Sequence, residues 1–296
     1  MKERNNLISK LVYRLVKRRI AGYTIASTLN TVKAINDKGM HATVTLLNDH
    51  VDDATKAKYN ANSYVQLMKQ LSRLHLNADI SVRLSQLGYG MDDGIFSRNL
   101  ATVISAANSY GMRVWAEAES SYGNVELSRI YKRFRGRCRM LGIEMIADGE
   151  AGGALRDIRP TSKDAIKIRY HENGTKLRRR DKLQLYRDCI AAASGHGASI
   201  TLLDDDIRAV SPLANGKERR RDLIFEMPLG YSSKSVSQLQ RSKASLSVYV
   251  PYGKDWIPYF INRLAEGRVR RIAAALLNGD GSGKADVDID AENEAR

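Results

Sequence analysis

The stretch that decides the fold is YVPYGKDWIPYFINRLAE, which occupies residues 249–266. It continues an apolar, β-branched segment at residues 246–250, which is typical of a buried strand. Pro251 and Gly253 then predict that the strand ends and the chain turns. Beyond the turn, the residues from Trp256 to Glu266 have helical spacing. The stretch therefore predicts a strand with a tyrosine near its carboxyl end, followed by a helix.

The order of a strand followed by a helix recurs along the chain. Short runs rich in Val, Ile and Thr alternate with longer segments of helical spacing. Such alternation is typical of a parallel sheet, and about 250 residues suffice for a (β/α)8 barrel. We therefore predict an α/β fold of this type. The eight predicted strands, some with the loop that follows, lie at residues 41–47, 80–88, 112–122, 141–147, 164–172, 198–204, 221–230 and 246–250.

Segments with a different character flank the predicted barrel, which we place at residues 41–277. Residues 1–40 predict two helices, one amphipathic over 5–20 and one over 21–39 that ends at a glycine. Residues 278–296 are rich in Gly and Asp with little apolar content, which predicts a disordered acidic tail. The aspartates of the tail lack the spacing of a calcium-binding loop, and no Cys/His cluster occurs elsewhere, so we predict no metal site.

The chain is strongly basic, with 48 Lys and Arg residues against 33 Asp and Glu and a formal charge of +15. Such a balance can indicate contact with nucleic acid or with an anionic membrane surface. The basic residues are scattered along the chain, and no nucleic-acid-binding motif accompanies them. This distribution favours exposed helix faces, with a peripheral membrane contact as the alternative and no nucleic-acid partner.

The two cysteines, Cys138 and Cys189, provide no disulfide framework, which fits a reducing cytoplasm. No run of about 20 apolar residues could span a membrane. The first residues lead into no long apolar segment, so we expect no secretory signal. These features predict a cytoplasmic protein, with attachment to the inner membrane surface as an option.

Polar residues stand at the carboxyl ends of several predicted strands, where β/α barrels carry out chemistry. Glu117 and Glu119 are two residues apart, so within a strand they would project to the same face. Two carboxylates that close need cationic partners, and an alternative to a catalytic role is that both pair with arginines on the rim. The strand-end candidates as a group are Arg83, Glu117, Lys167, Glu226 and Tyr249.

Residues 249–266 resemble a segment of the proline dehydrogenase family of flavoenzymes that reads Y-V-P-Y-G-x-x-W-x-P-Y-x-x-R-R-L-A-E. Residues 80–88 resemble the family's V-S-V-K-L-T-Q-L-G, and residues 112–122 its V-R-I-D-M-E-D-S-S-Y. Residues 164–172 resemble its L-V-K-G-A-Y-x-E, and residues 221–230 its E-F-Q-M-L-Y-G. The resemblance begins near the first predicted strand and is weak at the fourth. The type of proline dehydrogenase that it indicates is the monofunctional bacterial one.

This resemblance implies a distorted (β/α)8 barrel that holds FAD, with an eighth helix over the barrel mouth. It implies oxidation of L-proline to pyrroline-5-carboxylate in proline catabolism, with electrons passed to membrane quinone. The implied catalytic residues are Arg83, Glu117, Tyr249 and Arg263. The implied substrate-binding residues are Arg83, Tyr249, Asn262 and Arg263. The implied cofactor contacts are Lys167, Tyr170, Glu172 and Glu226.

Several positions depart from the family's pattern. Asn262 replaces the first arginine of the family's pair, Arg83 replaces a lysine, and Leu203 replaces a histidine. Ile168 replaces a glycine, and Glu226 replaces a glutamine and cannot donate a hydrogen bond while ionised. The fourth strand lacks the family's Gln, Tyr and Arg.

These departures leave three hypotheses open. The first is an FAD-dependent proline dehydrogenase. The second is a barrel that has lost its cofactor and acts as a binding or scaffold protein. The third is a flavoenzyme with an altered substrate. Bound flavin would exclude the second.

Overall fold

The computed structural model describes residues 17–48, 51–119, 122–138, 140–170, 177–194, 197–204, 206–215, 222–231 and 233–254. Eight parallel strands follow one another in chain order and close into a barrel, which confirms the predicted fold class. Three predicted segments lie outside the described residues. They are the first 12 residues of the helix predicted over 5–20, the helix predicted after residue 254, and the acidic tail. The strands are β1 His41–Leu46, β2 Ala78–Arg83, β3 Val114–Glu117, β4 Leu141–Ile146, β5 Ala165–Arg169, β6 Ser199–Leu203, β7 Leu223–Pro228 and β8 Ser245–Tyr252.

Helices connect most of the strands on the outside of the barrel. Between β6 and β7, the described residues form two 3-10 turns, Ile207–Ala209 and Ser211–Ala214. Within the described ranges, no helix is long and apolar enough to cross a lipid bilayer. The α-helices are α1 Ile25–Asn36, α2 Ala54–Arg73, α3 Asp93–Tyr110, α4 Asn124–Phe134, α5 Ala151–Ile158, α6 Arg179–Ala193 and α7 Ser233–Arg241.

The first described α-helix begins later than the sequence predicts. Helical spacing predicts a start at residue 21, but Gly22 has φ +110°, which lies outside helical backbone geometry. Thr24 then takes the N-cap position and accepts a hydrogen bond from the Ser27 backbone N–H at 3.2 Å. Helix α1 therefore starts at Ile25.

Strand β8 continues through Pro251, so the prediction that this proline ends the strand is wrong. Pairing with β7 stops at Tyr249, whereas pairing with β1 continues to Tyr252. The Pro251 carbonyl accepts the Ala21 N–H at 2.9 Å on the side where β7 has already ended. In a parallel ladder the N–H and C=O of one residue point to the same neighbouring strand. The N–H that Pro251 lacks would therefore point to the side where β7 has already ended, so the proline removes no hydrogen bond between strands.

Residues 18–24, the N-terminal strap, cross the carboxyl ends of β7 and β8. Besides the bond from Ala21 to Pro251, the Gly253 N–H donates to the Gly22 carbonyl at 3.1 Å. Gly253 has φ +135°, and a Cβ there would lie 2.3 Å from the Leu47 carbonyl oxygen. Gly253 therefore ends the strand as predicted, because only glycine allows this approach between the ends of β8 and β1.

The alternation of side chains along the strands places apolar residues outside and polar residues inside the barrel. Contacts between strands that are not neighbours identify the inner face. Thr43 on β1 and Lys167 on β5 both contact Glu226 on β7. Trp115 on β3 fills the space beside Gly142, its partner on β4, and its indole N–H donates to Asp79 at 3.2 Å. The interior is therefore a packed polar core, whereas many barrels fill it with Val, Ile and Leu.

We expect Gly142→Ala to destabilise the protein. A Cβ at Gly142 would lie 2.6 Å from a carbon of the Trp115 ring, and such overpacking costs about 1–3 kcal/mol. Gly153→Ala is the matched control, because a Cβ at this position in α5 meets nothing within 4 Å and should be neutral or stabilising. Urea unfolding of both variants measures the difference. Equal stability of Gly142→Ala and the wild type would contradict this packing.

Candidate active site at the carboxyl ends of the strands

Three predicted site residues meet at the carboxyl end of the barrel. Arg83 at the end of β2 and Glu117 at the end of β3 are register partners, with Arg83 Nε 3.5 Å from Glu117 Oε2. Tyr249 reaches from β8 and donates its hydroxyl to Glu117 Oε1 at 2.5 Å. The Glu117 side chain is 6% exposed and that of Arg83 is 20% exposed, so Arg83 faces the mouth while Glu117 lies beneath it.

Glu117 is held in its ionised form. Burial alone would raise the pKa of the Glu117 carboxyl, but the charge of Arg83 and the hydrogen bond from Tyr249 outweigh burial and hold the pKa below its usual value. An ionised carboxylate accepts hydrogen bonds and cannot act as an acid at neutral pH. Its contacts therefore suit it to fix the positions of Arg83 and Tyr249.

Glu119 does not share the environment of Glu117. Strand β3 ends at Glu117, so the alternation that predicts a common face does not extend to Glu119. The Glu119 carboxylate accepts hydrogen bonds from the Ser85 backbone N–H at 3.1 Å, from the Ser85 hydroxyl at 2.5 Å and from the Tyr122 hydroxyl. Among the described residues, Glu117 therefore pairs with an arginine at the rim, and Glu119 does not.

A second predicted pair of residues lies deeper in the barrel. Lys167 Nζ is 2.5 Å from Glu226 Oε2, and their side chains are 0% and 1% exposed. The other carboxylate oxygen of Glu226 accepts hydrogen bonds from Thr43 at 2.5 Å and from Ser247 at 3.0 Å. The Lys167 ammonium also lies 4.7 Å from the centre of the Trp115 ring. Glu226 therefore fixes Lys167 inside the barrel.

A further ion pair at the rim joins two residues that the sequence motifs do not indicate. Arg169 Nε at the end of β5 lies 2.8 Å from Glu144 Oε1 on β4, and Arg169 also donates to the Ala118 carbonyl at 2.9 Å. Burial raises the pKa of the Glu144 carboxyl, and the charge of Arg169 opposes this. The sequence does carry one indication of this pair, because Glu144 is a charged residue on the inward face of an otherwise apolar strand. The described interior thus holds three cation–carboxylate pairs, namely Arg83–Glu117, Lys167–Glu226 and Arg169–Glu144.

Tyr170 follows β5 and belongs to a separate cluster. Its side chain is buried, and Lys182 Nζ lies 4.1 Å from the centre of its ring. Lys182 also lies 3.3 Å from Asp204, a carboxylate at the end of β6 that is not among the predicted site residues. Burial raises the pKa of Asp204, while Lys182 opposes the shift. The hydroxyl of Tyr186 donates to the Leu203 carbonyl at 2.7 Å and so attaches α6 to this cluster.

The residues predicted to contact FAD fit such a group in part. Lys167 Nζ is close to Glu226, but the contact is not aligned as a hydrogen bond, and Nζ has no hydrogen-bond acceptor among the described residues. These N–H donors are of the type that binds acceptor atoms such as those of a flavin ring, but the Lys167 side chain has no exposed surface in this structure. Glu172, Asn262 and Arg263 lie outside the described residues.

A closed parallel barrel with charged side chains gathered at the carboxyl ends of its strands defines a (β/α)8 barrel with a candidate active site at that rim. No protein-family model matches the chain. Proline dehydrogenase 1 of Bacillus subtilis (strain 168) is 27% identical over 280 residues, which cover 89% of each chain. The proline dehydrogenase of Deinococcus radiodurans is 25% identical over 295 residues, which cover 92% of each chain.

Solved structures show the same fold. Proline utilization A from Bdellovibrio bacteriovorus, inactivated by N-propargylglycine, superposes with a TM-score of 0.68 at 15% identity. Proline utilization A from Corynebacterium freiburgense gives a TM-score of 0.68 at 14% identity. The chain spans 33% of the length of each of these larger proteins. The resemblance to proline dehydrogenases that the sequence motifs indicate is therefore confirmed over about nine-tenths of the chain.

We expect the loss of either partner of the Lys167–Glu226 pair to be strongly destabilising. Each of Lys167→Met and Glu226→Leu leaves an uncompensated charge in a buried site, which costs about 3–5 kcal/mol. The double variant should be less destabilised than the sum of the two, because it buries no charge. Urea unfolding of the four proteins measures the coupling.

The exposed pair Lys132–Asp157 provides the control for this cycle. Lys132→Met should change stability little, since exposed ion pairs contribute weakly. Additive effects of the two interior substitutions would contradict a direct interaction between Lys167 and Glu226.

Proposed function

We propose that this protein is an FAD-dependent proline dehydrogenase that oxidises L-proline to pyrroline-5-carboxylate in proline catabolism. The observation that carries the proposal is the cluster of Arg83, Glu117 and Tyr249, drawn from three strands to the rim of the barrel. Relatives named proline dehydrogenase align along about nine-tenths of the chain and support the same activity. FAD, when bound, would accept a hydride from the carbon beside the ring nitrogen of the substrate.

The rim residues would bind and orient the substrate. Arg83 faces the mouth and would bind the substrate carboxylate together with Arg263. Asn262 would add a neutral hydrogen-bond donor beside Arg263. Glu117 would hold Arg83 and Tyr249 in place, and Tyr249 would contact the substrate ring. Placing the reacting carbon in this way is the main contribution that the protein makes to such a reaction.

A second group of residues would hold the cofactor. Lys167 offers unused N–H donors, and Tyr170 and Glu172 follow it in the sequence. Glu226 would act on the cofactor through Lys167, because its carboxylate is occupied by Thr43, Ser247 and Lys167.

The electron acceptor in this proposal is membrane quinone. The protein would be cytoplasmic, with a peripheral contact to the inner membrane that its net charge of +15 supports. No nucleic acid takes part.

The first test is whether the purified protein carries FAD and oxidises proline with an artificial dye as electron acceptor. Arg263→Ala should lower kcat/KM for proline about tenfold to a hundredfold, because a charge-assisted hydrogen bond contributes about 1.5–3 kcal/mol. Arg98→Ala, which removes an exposed arginine on α3, is the control and should leave turnover unchanged. A protein with no flavin and no turnover would refute the proposal and favour a binding or scaffold role.

The substitution Asn262→Arg tests whether the substrate is proline or a different compound. One arginine and one asparagine bind a carboxylate more weakly than two arginines do. If the substrate is proline, Asn262→Arg should lower KM for proline about tenfold, which corresponds to about 1.4 kcal/mol. Steady-state kinetics with proline measure the change. A higher KM in the variant would favour a flavoenzyme that acts on a different substrate.

A further inference from the structure

A line of polar atoms runs from the buried Lys167–Glu226 pair toward the N-terminal end of the barrel. Ser247 Oγ donates to Glu226 Oε1 at 3.0 Å and lies 3.5 Å from His41 Nδ1. His41 is the first residue of β1, and its side chain is 28% exposed. The line thus joins a partly exposed imidazole to an ammonium group whose side chain has no exposed surface.

The direction of these contacts defines the tautomer of His41. Ser247 uses its hydroxyl proton for Glu226, so it can only accept from His41. A hydrogen bond between Ser247 and His41 therefore requires a proton on Nδ1 of His41. Nε2 lies 3.7 Å from Asp79 Oδ1 at the exposed end of the line. The indole N–H of Trp115 donates to the other oxygen of Asp79 and keeps this carboxylate in place.

The Glu226 carboxylate does not need His41 for its own stability. Thr43 and Ser247 donate to one oxygen, and Lys167 lies beside the other. The imidazole contacts Ser247 and adds no contact to Glu226. It does add a side chain with two ring nitrogens, one facing Ser247 and one facing Asp79, at the point where the line reaches solvent.

We propose that His41 and Ser247 form a proton path between solvent and the buried Lys167–Glu226 pair. A hydronium ion in the solvent gives a proton to His41 Nε2 and becomes water, the Nδ1 proton passes to Ser247 Oγ, and the hydroxyl proton of Ser247 passes to Glu226 Oε1. His41 is left neutral with its proton on Nε2, and Glu226 becomes a neutral carboxylic acid. One proton has entered, no bond between heavy atoms has changed, and the reverse steps carry a proton out. Exchange at Lys167 adds one step: Lys167 gives a proton to Glu226 Oε2, the carboxyl group rotates, and the proton leaves through Ser247 and His41.

This path does not rest on the proposed function, but it would serve that function. Oxidation of a secondary ammonium ion to an iminium ion releases one proton in addition to the hydride. A path through the N-terminal end of the barrel lets the interior pair exchange protons while ligands cover the opposite end.

The test is the rate at which the Lys167 ammonium hydrogens exchange with D2O, followed by 15N NMR of lysine side chains in the full chain. Ser247→Ala and His41→Gln should each slow the exchange at least tenfold. Ser245→Ala is the matched control, because it removes an exposed hydroxyl two residues earlier on β8, and it should leave the rate unchanged. The 15N shifts of His41 should show a proton on Nδ1 in the wild type and its loss in Ser247→Ala.

Unchanged exchange in both variants would overturn the path. Slowing in Ser247→Ala alone would also overturn it, since Ser247 would then only stabilise Glu226. His41→Gln alters a partly exposed residue and decides the matter if Ser247→Ala does not fold. No flavin or proline enters the measurement, so this proposal and the proposed function can fail independently.

Discussion

The ion pair between Lys167 and Glu226 is the constraint on which the barrel interior depends. Removing two charges from water costs several kcal/mol for each ion, so each needs partners in the interior. Thr43 and Ser247 supply hydrogen bonds to the carboxylate, and the Trp115 ring lies beside the ammonium. Because these groups fill the inside of the barrel with polar atoms, hydrophobic burial takes place between the strands and the helices that surround them.

The rim depends on a similar arrangement. Glu117 is buried and ionised, so Arg83 and Tyr249 are held at fixed positions before any ligand arrives. A site that is organised in advance loses less free energy in ordering its own side chains when it binds. Glu117 lies at the end of β3 and contacts Arg83 on the neighbouring β2 and Tyr249 on β8, so one carboxylate organises residues from two other strands.

The order of strands and helices could be predicted from the sequence because it depends on local periodicity. The continuation of β8 through Pro251 could not, since it depends on where β7 ends. Lys167 and Glu226 could be selected as charged residues in apolar strands. Their contact could not, because it joins strands that meet only when the barrel closes. The contact between Glu144 and Arg169 could not be predicted either, because it depends on the register between β4 and β5.

Closure of the barrel joins its first strand to its last. His41 to Leu46 pairs with Ser247 to Tyr252, and the N-terminal strap is bonded to the end of the same last strand. During synthesis, β1 therefore remains an open edge until the ribosome has made residue 252, and long-range pairing of this kind is slow. An open edge can also pair with another chain. Synthesis of β8 thus removes the open edge of β1, which closes the barrel and prevents pairing of that edge with another chain.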